Sequence, residues 1–293
     1  MNEYRLLNFV EGLFILIFGF AFLSGCAGFL QENMLETTLI SVTPSGEKTD
    51  IVTQTPYFRE TTNPTLAIEY AIETVTSLFS ENGGCEIPCW WGFTPGETSW
   101  IELKKFIDSI ASETWRDIVS RDITRFIYSF PFSEDYPYAG QNYYVQDELL
   151  ILIETYPPLL EIGLAHLLQD FGEPTQVLIE TQSRSREFSI TYRVALYYPE
   201  KGILAQLGGE AEEEGENIKI CPQERDIGFL MLWSPEREIE LDELLGPEYG
   251  FGDSEGLMSL SVVSNWDEEI FHENFSNPET DSCIITPKFH WSP

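Results

Sequence analysis

Residues 85–100 constrain the fold of this chain more than any other stretch of its sequence. Within sixteen residues this segment holds two cysteines, three tryptophans, two prolines and two glycines. Prolines fix the backbone φ angle, and glycines permit turns that other residues resist. Tryptophan side chains carry a large apolar area that is either buried or used for binding. We therefore predict a disulfide-stapled turn that leads into a helix of a folded domain.

The cysteine count supports this interpretation. The chain has five cysteines, and four of them lie within or after this segment: Cys85, Cys89, Cys221 and Cys283. An even number in an exported protein implies two disulfides, for which three pairings are possible. We favour Cys85 with Cys89 and Cys221 with Cys283. A four-thiolate zinc site is the alternative, but Cys221 and Cys283 are too far apart in sequence to form a second close ligand pair, so we predict no metal.

The N-terminus predicts an export signal. Residues 13–23 form an apolar run that has the length of a signal-peptide core and is short for a membrane span. The run ends in Leu-Ser-Gly-Cys, which resembles a bacterial lipobox whose cysteine, here Cys26, is lipidated. We predict that residues 1–25 are a lipoprotein signal peptide and that the protein is lipid-anchored to a cell membrane, facing outside the cytoplasm, in an extracellular or periplasmic location. An uncleaved helix running on to Leu30 is the alternative.

Composition divides the rest of the chain. After the lipidated cysteine, residues 26–63 are rich in Thr, Ser, Pro and Glu and show little periodicity, which predicts a flexible tether. Residues 64–156 are predicted to form a first α+β half. Residues 157–293 are predicted to form a second α+β half that includes a C-terminal helix.

Hydrophobic periodicity places helices before runs of strands joined by short turns, which favours an α+β fold with helices packed on an antiparallel sheet. Ser99 with Glu102, and Asn265 with Glu268, have the spacing of helix caps. The predicted helices are 65–80, 100–111, 159–170 and one capped by Asn265; the predicted strands are 117–132, 143–155, 176–180, 188–198, 203–207, 218–221 and 229–233.

The net charge excludes one class of partner. The chain carries 49 acidic and 16 basic residues, a formal charge of −33. Such a field repels nucleic acid, and no cluster of basic residues offsets it locally. The densest acidic run, residues 210–216, is predicted to be a solvated hairpin loop rather than a calcium site. The expected partner is a protein or cell-envelope component that offers a basic or apolar patch.

Catalytic signatures are absent from the sequence. The three histidines, His166, His272 and His290, belong to no metal-binding or nucleophile motif. We therefore expect a non-enzymatic binding or assembly module that needs no cofactor. Tyr192, Tyr198 and Trp233 are candidate anchors for a partner, although we expect burial in the core for each of them in preference to that role.

The alternative function is a cell-envelope hydrolase or carbohydrate-binding protein. It would use a pair of carboxylates and exposed tryptophans, for which Trp90 and Trp91 are the candidates, although burial next to the disulfide is the commoner outcome for such side chains. Abundant acidic residues guarantee that some pair lies close in space, so their number alone does not favour it.

Two short motifs resemble known lipoprotein domains. Trp-Gly-Phe-Thr-Pro-Gly-Glu at residues 91–97 is similar to the helix entry of SmpA/OmlA (BamE-like) domains, and residues 167–177 resemble the exit that those domains place between helix and first strand. The β-lactamase-inhibitor proteins repeat a similar helix-then-sheet unit in tandem. This resemblance implies an interaction module with two similar halves. The Pro-Cys-Trp-Trp-Gly run also resembles uncharacterised lipoproteins of environmental bacteria.

Lipidation of Cys26 is directly testable. Metabolic labelling with a fatty-acid probe is expected to mark the wild-type protein and to leave Cys26→Ser unlabelled, because the thiol is the lipid acceptor. Equal labelling of the two proteins would contradict the prediction.

Overall fold

An antiparallel β-sheet is the main element of the structure, a computed structural model that describes residues 58–60, 66–132, 138–156, 163–183, 190–223, 225, 227–246, 249 and 256–291. The predicted signal peptide, Cys26 and most of the predicted tether lie outside these ranges. The strands in the described part are β1 (Phe58–Glu60), β2 (Glu113–Ile118), β3 (Ile123–Pro131), β4 (Tyr138–Gln146), β5 (Leu149–Thr155), β6 (Gln176–Ser183), β7 (Ile190–Tyr198), β8 (Ile203–Glu214), β9 (Asn217–Ile220), β10 (Phe229–Trp233), β11 (Met258–Ser259) and β12 (Ile284–Pro287).

The described strands form one hydrogen-bonded sheet. Ten strands follow one another in the order β1-β2-β3-β4-β5-β10-β8-β7-β6-β11, and β9 connects the end of β8 to β12. Every pairing is antiparallel. The mixed helix and antiparallel-sheet class predicted from the sequence is therefore confirmed, with more strand than helix.

Helices cover both faces of this sheet, and none in the described ranges combines the length and hydropathy needed to cross a bilayer. The α-helices are α1 (Ile68–Glu81), α2 (Trp100–Ile110), α3 (Leu164–Phe171), α4 (Leu241–Leu244), α5 (Leu260–Val263) and α6 (Glu268–Phe275). The larger apolar core lies between the sheet and α1, α2, α3, α5 and α6. A smaller core on the opposite face packs Leu244 of α4, with Ile239 and Tyr249, against the sheet.

Two hairpins replace single predicted strands. The segment 117–132 is divided between β2 and β3, and 143–155 is divided between β4 and β5. The second turn has positive φ at both Asp147 and Glu148. Two-residue turns with this geometry usually have the sequence Asn-Gly or Asp-Gly. The sequence Asp-Glu lacks the glycine by which such a turn is recognised.

The predicted loop at 210–216 is wrong for most of its length. Residues 210–214 belong to β8, and the chain turns only at Gly215. Strand β8 extends beyond its pairing with β10 and continues as a partner of β9. The acidic side chains of this extension are therefore exposed on a strand and not in a loop. Lys219 bonds to Glu212 at 3.3 Å, and Lys288 bonds to Glu213 at 2.7 Å.

Two further expectations differ from the structure. Strand β1 lies in the segment assigned to the tether, where it pairs with β2; a three-residue strand is too short to show periodicity. The last helix is capped by Asp267, whose Oδ1 accepts from Ile270 N at 2.9 Å, rather than by Asn265. Ser99 caps α2 as expected, accepting from Glu102 N.

The segment 82–93 forms a cross-linked turn that we call the elbow. Its disulfide joins Cys85 to Cys89, and the second disulfide joins Cys221 to Cys283, which is the pairing favoured from the sequence. The side chain of Asn82 organises the elbow: its Nδ2 donates to the carbonyls of Cys85 and Cys89, and its Oδ1 accepts from Trp91 N, each at 2.9 Å.

The elbow ends in a tight two-residue turn. Trp90 and Phe93 exchange two backbone hydrogen bonds of 2.9 Å, and the residues between them, Trp91 and Gly92, both have positive φ. Positive φ is unfavourable for tryptophan. Burial offsets this cost, because the ring of Trp91 packs against Phe79 of α1 and Phe130 of β3 at centroid distances of 4.9 and 5.1 Å.

Replacing Asn82 with alanine is expected to lower the free energy of unfolding by about 2–4 kcal/mol, because three hydrogen bonds are lost and the Trp91 N–H is left buried without its acceptor. Denaturant unfolding of the oxidised protein measures the change. Asn277→Ala is the control, since the exposed Asn277 side chain accepts one local bond, from Glu279 N. Equal changes in the two variants would contradict the role of Asn82.

Candidate functional site

A surface cavity of about 430 Å³ lies between the elbow and α3. Its volume falls in the range of small-ligand sites. We call it the elbow cavity. The described residues that line it are Asn82, Cys85, Glu86, Ile87, His166, Asp170 and Phe171.

Helix α3 supplies one wall. Leu164, Leu167 and Leu168 are buried on its inner side, so His166 and Asp170, one turn apart, lie on its outer side. His166 Nε2 and Asp170 Oδ2 are 3.1 Å apart, and both side chains are more than half exposed.

The position of α3 is fixed by contacts with α6 and β7. Gln169 Nε2 donates to Ser276 O at 2.7 Å. His272 Nε2 lies 3.2 Å from Leu168 O. At the C-terminal end the phenol of Tyr198 donates to Gly172 O at 3.2 Å. The wall that carries His166 is therefore held in place by the sheet and by a neighbouring helix.

The elbow supplies the other wall. The Asn82 side chain and the Cys85–Cys89 disulfide fix the loop between them, which presents Glu86 and Ile87 to the cavity. Gly92 N donates to Cys85 Sγ at 3.3 Å, which ties the disulfide to the turn that follows. The loop is thus held by covalent and hydrogen bonds, although its Glu86 side chain is exposed.

The chemistry of the elbow cavity favours a cation. Among the described residues that line it, Glu86 and Asp170 carry carboxylates, which accept hydrogen bonds from ammonium or guanidinium groups, and such charge-assisted bonds are stronger than neutral ones. Phe171, whose ring packs beside Tyr198, adds an aromatic group to the lining, and aromatic rings attract cations. Ile87 gives an apolar surface for the alkyl part of such a group.

A second polar cluster lies on strands β2 to β5, on the face of the sheet opposite to the one covered by α2. Arg125 binds Asp117 through two nitrogens, at 3.0 and 2.5 Å. The buried carboxylate of Glu154 accepts from the hydroxyls of Tyr144 at 2.9 Å and Tyr156 at 3.1 Å. The hydrogen bond to Asp117 raises the pKa of Arg125, and burial followed by the charge of Glu154 raises the pKa of Tyr156. Because Glu154 is only 1% exposed, it is shielded from substrates.

The aromatic residues predicted as binding candidates are buried. Trp90 is 0% and Trp91 is 4% exposed, so these two side chains offer no platform for a sugar. Tyr192, Tyr198 and Trp233 are also buried, which is the outcome favoured from the sequence over exposure as partner anchors. Their strands are covered by helices or by the segment around α4, and the sequence pattern does not reveal that cover.

The described cysteines are all in disulfides, and no group of three or more His, Cys, Asp or Glu side chains in the described ranges is arranged to hold a metal ion. Of the three histidines, His166 lies at the elbow cavity, His272 packs α6 on α3, and His290 lines a shallower depression of about 330 Å³ beside β12.

The sequence did not indicate that Glu86, Asp170 and Phe171 lie at one cavity. The i, i+4 spacing of His166 and Asp170 could have indicated that these two side chains lie on the same, solvent-facing side of helix α3. The approach of this helix to the elbow depends on pairing between distant strands, which leaves no local trace in the sequence.

Comparison with protein-family models, with curated proteins and with solved structures finds no significant match.

Replacing Glu154 with glutamine is expected to lower the pKa of Tyr156 relative to the wild-type protein, because one of the charges that oppose phenol ionisation is removed while burial remains. NMR titration of ¹³C-labelled tyrosines above pH 9, assigned with Tyr156→Phe, measures the shift. The pKa of Tyr198, raised by burial and by the charge of Glu200, serves as the internal control and is expected to stay unchanged. An unchanged pKa of Tyr156 would contradict the assigned interaction.

Proposed function

We propose that this protein is a membrane-anchored extracytoplasmic lipoprotein whose folded part is a non-enzymatic binding module, and that the elbow cavity receives a cationic group of its partner. The observation that carries the proposal is the pair of carboxylates, Glu86 and Asp170, at one cavity with the ring of Phe171. The partner is a protein or cell-envelope component with a basic segment, such as a lysine or arginine side chain presented on a loop.

The charge of the whole chain supports this choice. A formal charge of −33 attracts cationic partners over a distance and accelerates their association. Because salt screens such attraction, binding is expected to weaken as ionic strength rises. The local acidic pair and the long-range field thus favour the same class of ligand.

The proposed location rests on two features of the chain. The sequence ending at Cys26 resembles a lipobox, and the two disulfides suit an oxidising compartment outside the cytoplasm. The lipid anchor would keep a strongly acidic protein at a membrane surface that would otherwise repel it.

We also infer that the described part consists of two similar helix-then-sheet halves that share one sheet. The strand pair after α2 carries Asp117 directly opposite Arg125, and the strand pair after α3 carries Glu180 directly opposite Arg193. In both pairs the carboxylate accepts from the guanidinium across the strands. A repeated cross-strand ion pair at equivalent places supports a tandem arrangement like that of the interaction modules that the sequence resembles.

The test uses the full-length lipoprotein in its native membrane. Crosslinked capture of the partner is expected to fall roughly 5- to 30-fold when Glu86→Gln and Asp170→Asn are combined, since each partly exposed charge contact contributes about 0.5–1 kcal/mol. The matched control combines Glu236→Gln with Glu238→Gln, which removes the same charge from two exposed side chains near α4.

Equal capture by the cavity variant and the control variant would contradict the proposed site. The enzymatic alternative is tested separately, by screening the full-length protein against glycan, ester, peptide and phosphate substrates. Turnover that a single Asp or Glu substitution abolishes would replace the binding-module proposal with a hydrolase.

A further inference from the structure

A row of polar side chains crosses the interior of the sheet beneath α2. Thr114, Tyr128, Gln141 and Thr155 occupy directly opposite positions on β2, β3, β4 and β5. Opposite residues on neighbouring strands project from the same face. This face is the one covered by α2, because the hydroxyl of Tyr128 donates to Asp108 Oδ1 of that helix at 3.1 Å. All four side chains are at most 4% exposed. We call them the buried polar row.

Three polar atoms of this row have no hydrogen-bond partner among the described residues: Thr114 Oγ1, Gln141 Nε2 and Thr155 Oγ1. The other amide atom of Gln141, its Oε1, accepts from the hydroxyl of Tyr143. Exchanging the positions of the amide oxygen and nitrogen of Gln141 would not satisfy both atoms, because Oε1 would then be the atom without a hydrogen-bond partner. The unpaired atoms therefore result from the arrangement of the side chains and not from the orientation chosen for one amide group.

Leaving such atoms unpaired is costly. A buried donor or acceptor without a partner costs about 1–3 kcal/mol, and native interiors pair nearly all of them. Gln141 and Thr155 are direct cross-strand neighbours, so their side chains start about 4.5–5.5 Å apart at Cβ. Together with the hydroxyl oxygen of Tyr143, which is bonded to the same amide, they provide one donor group and two hydroxyl oxygens on neighbouring positions of one face. A buried water molecule typically makes two to four hydrogen bonds, which this set supplies.

We propose that the buried polar row is a binding site for a hydroxyl oxygen, which accepts from Gln141 Nε2 and bonds to Thr155 Oγ1. Because the unpaired atoms are closed off from solvent, ordered water is the source that we propose for this oxygen, and a small neutral polyol is the alternative that the test separates. Asp108, which is about one-third exposed, and the Tyr128 hydroxyl bonded to it extend the polar groups from the row to the protein surface. The site lies inside the sheet–helix core and is separate from the elbow cavity.

The test is the sign of a stability change in the full-length protein. Thr155→Val keeps the shape of the side chain and removes the hydroxyl. If the site is occupied, the variant deprives the bound oxygen of a partner, and the unfolding equilibrium constant is expected to shift about fivefold toward the unfolded state. If the row is dry, removing an unpaired buried hydroxyl shifts the constant toward the folded state. No shift, or a shift toward the folded state, overturns the proposal.

Thr286→Val calibrates this measurement. Thr286 is equally buried, and its Oγ1 accepts from Trp291 Nε1 at 2.9 Å, so its replacement is destabilising by a known mechanism. The double variant Gln141→Leu with Thr155→Val adds a second readout. If one oxygen bridges the two side chains, the second substitution costs less than it does alone, because the oxygen has already been released. If the stability changes of the two single variants simply add in the double variant, no oxygen bridges the two side chains and the proposal is overturned.

A crystal structure separates the two sources. In crystals grown without polyol, density within about 2.7–3.2 Å of both Gln141 Nε2 and Thr155 Oγ1 identifies water. In crystals soaked in glycerol, replacement of that density by a glycerol hydroxyl identifies a polyol site. A direct hydrogen bond between Gln141 and Thr155, with no density between them, overturns the proposal whether or not the variants fold.

Discussion

The hydrogen bonds of β10 hold the described part together. This five-residue strand pairs with β5 on one side and with β8 on the other, and it is the link between the two ends of the strand order. All five of its residues are buried, and successive side chains enter the two cores in turn. The elbow rests on β3 through Trp91, whereas α3 rests on β7 through Tyr198. The distance between the two walls of the elbow cavity is therefore set by the strands that β10 connects.

The sequence predicts the features that are local. Period-2 alternation marks β7, and a cap and an apolar face mark α2, because each signal lies within one element. The cysteine spacing and the surrounding prolines mark the elbow in the same way. The turns of the β2–β3 and β4–β5 hairpins carry no glycine, so composition does not reveal them. The Asp267 cap lies only two residues from the predicted one, an error that reflects two acceptable capping residues in one short stretch.

The candidate site was less predictable, since it joins segments about eighty positions apart in the chain. Glu86 lies in the disulfide loop and Asp170 at the end of α3, and neither belongs to a recognisable motif. With 49 acidic residues, the count of carboxylates gives no hint of which ones meet. The acidic strand end of β8 shows the opposite error. A run of glutamates suggests a loop, but here it forms an exposed strand whose carboxylates bond to Lys219 of β9 and to Lys288, which follows β12.

Register is specified differently in different parts of the sheet. In β2 to β5, polar networks lie on both faces, so a slip of one residue would move Arg125 into the helix-covered core and Tyr128 out of it. Strand β10 is apolar on both faces, and a slip there would exchange one apolar set for another. Its register is fixed instead at Gly202, which has φ of +67° and whose carbonyl accepts from Trp233 N at 2.9 Å. A Cβ at this position would lie 2.0 Å from the Trp233 carbonyl oxygen, so only glycine permits the approach that aligns β10 with β8.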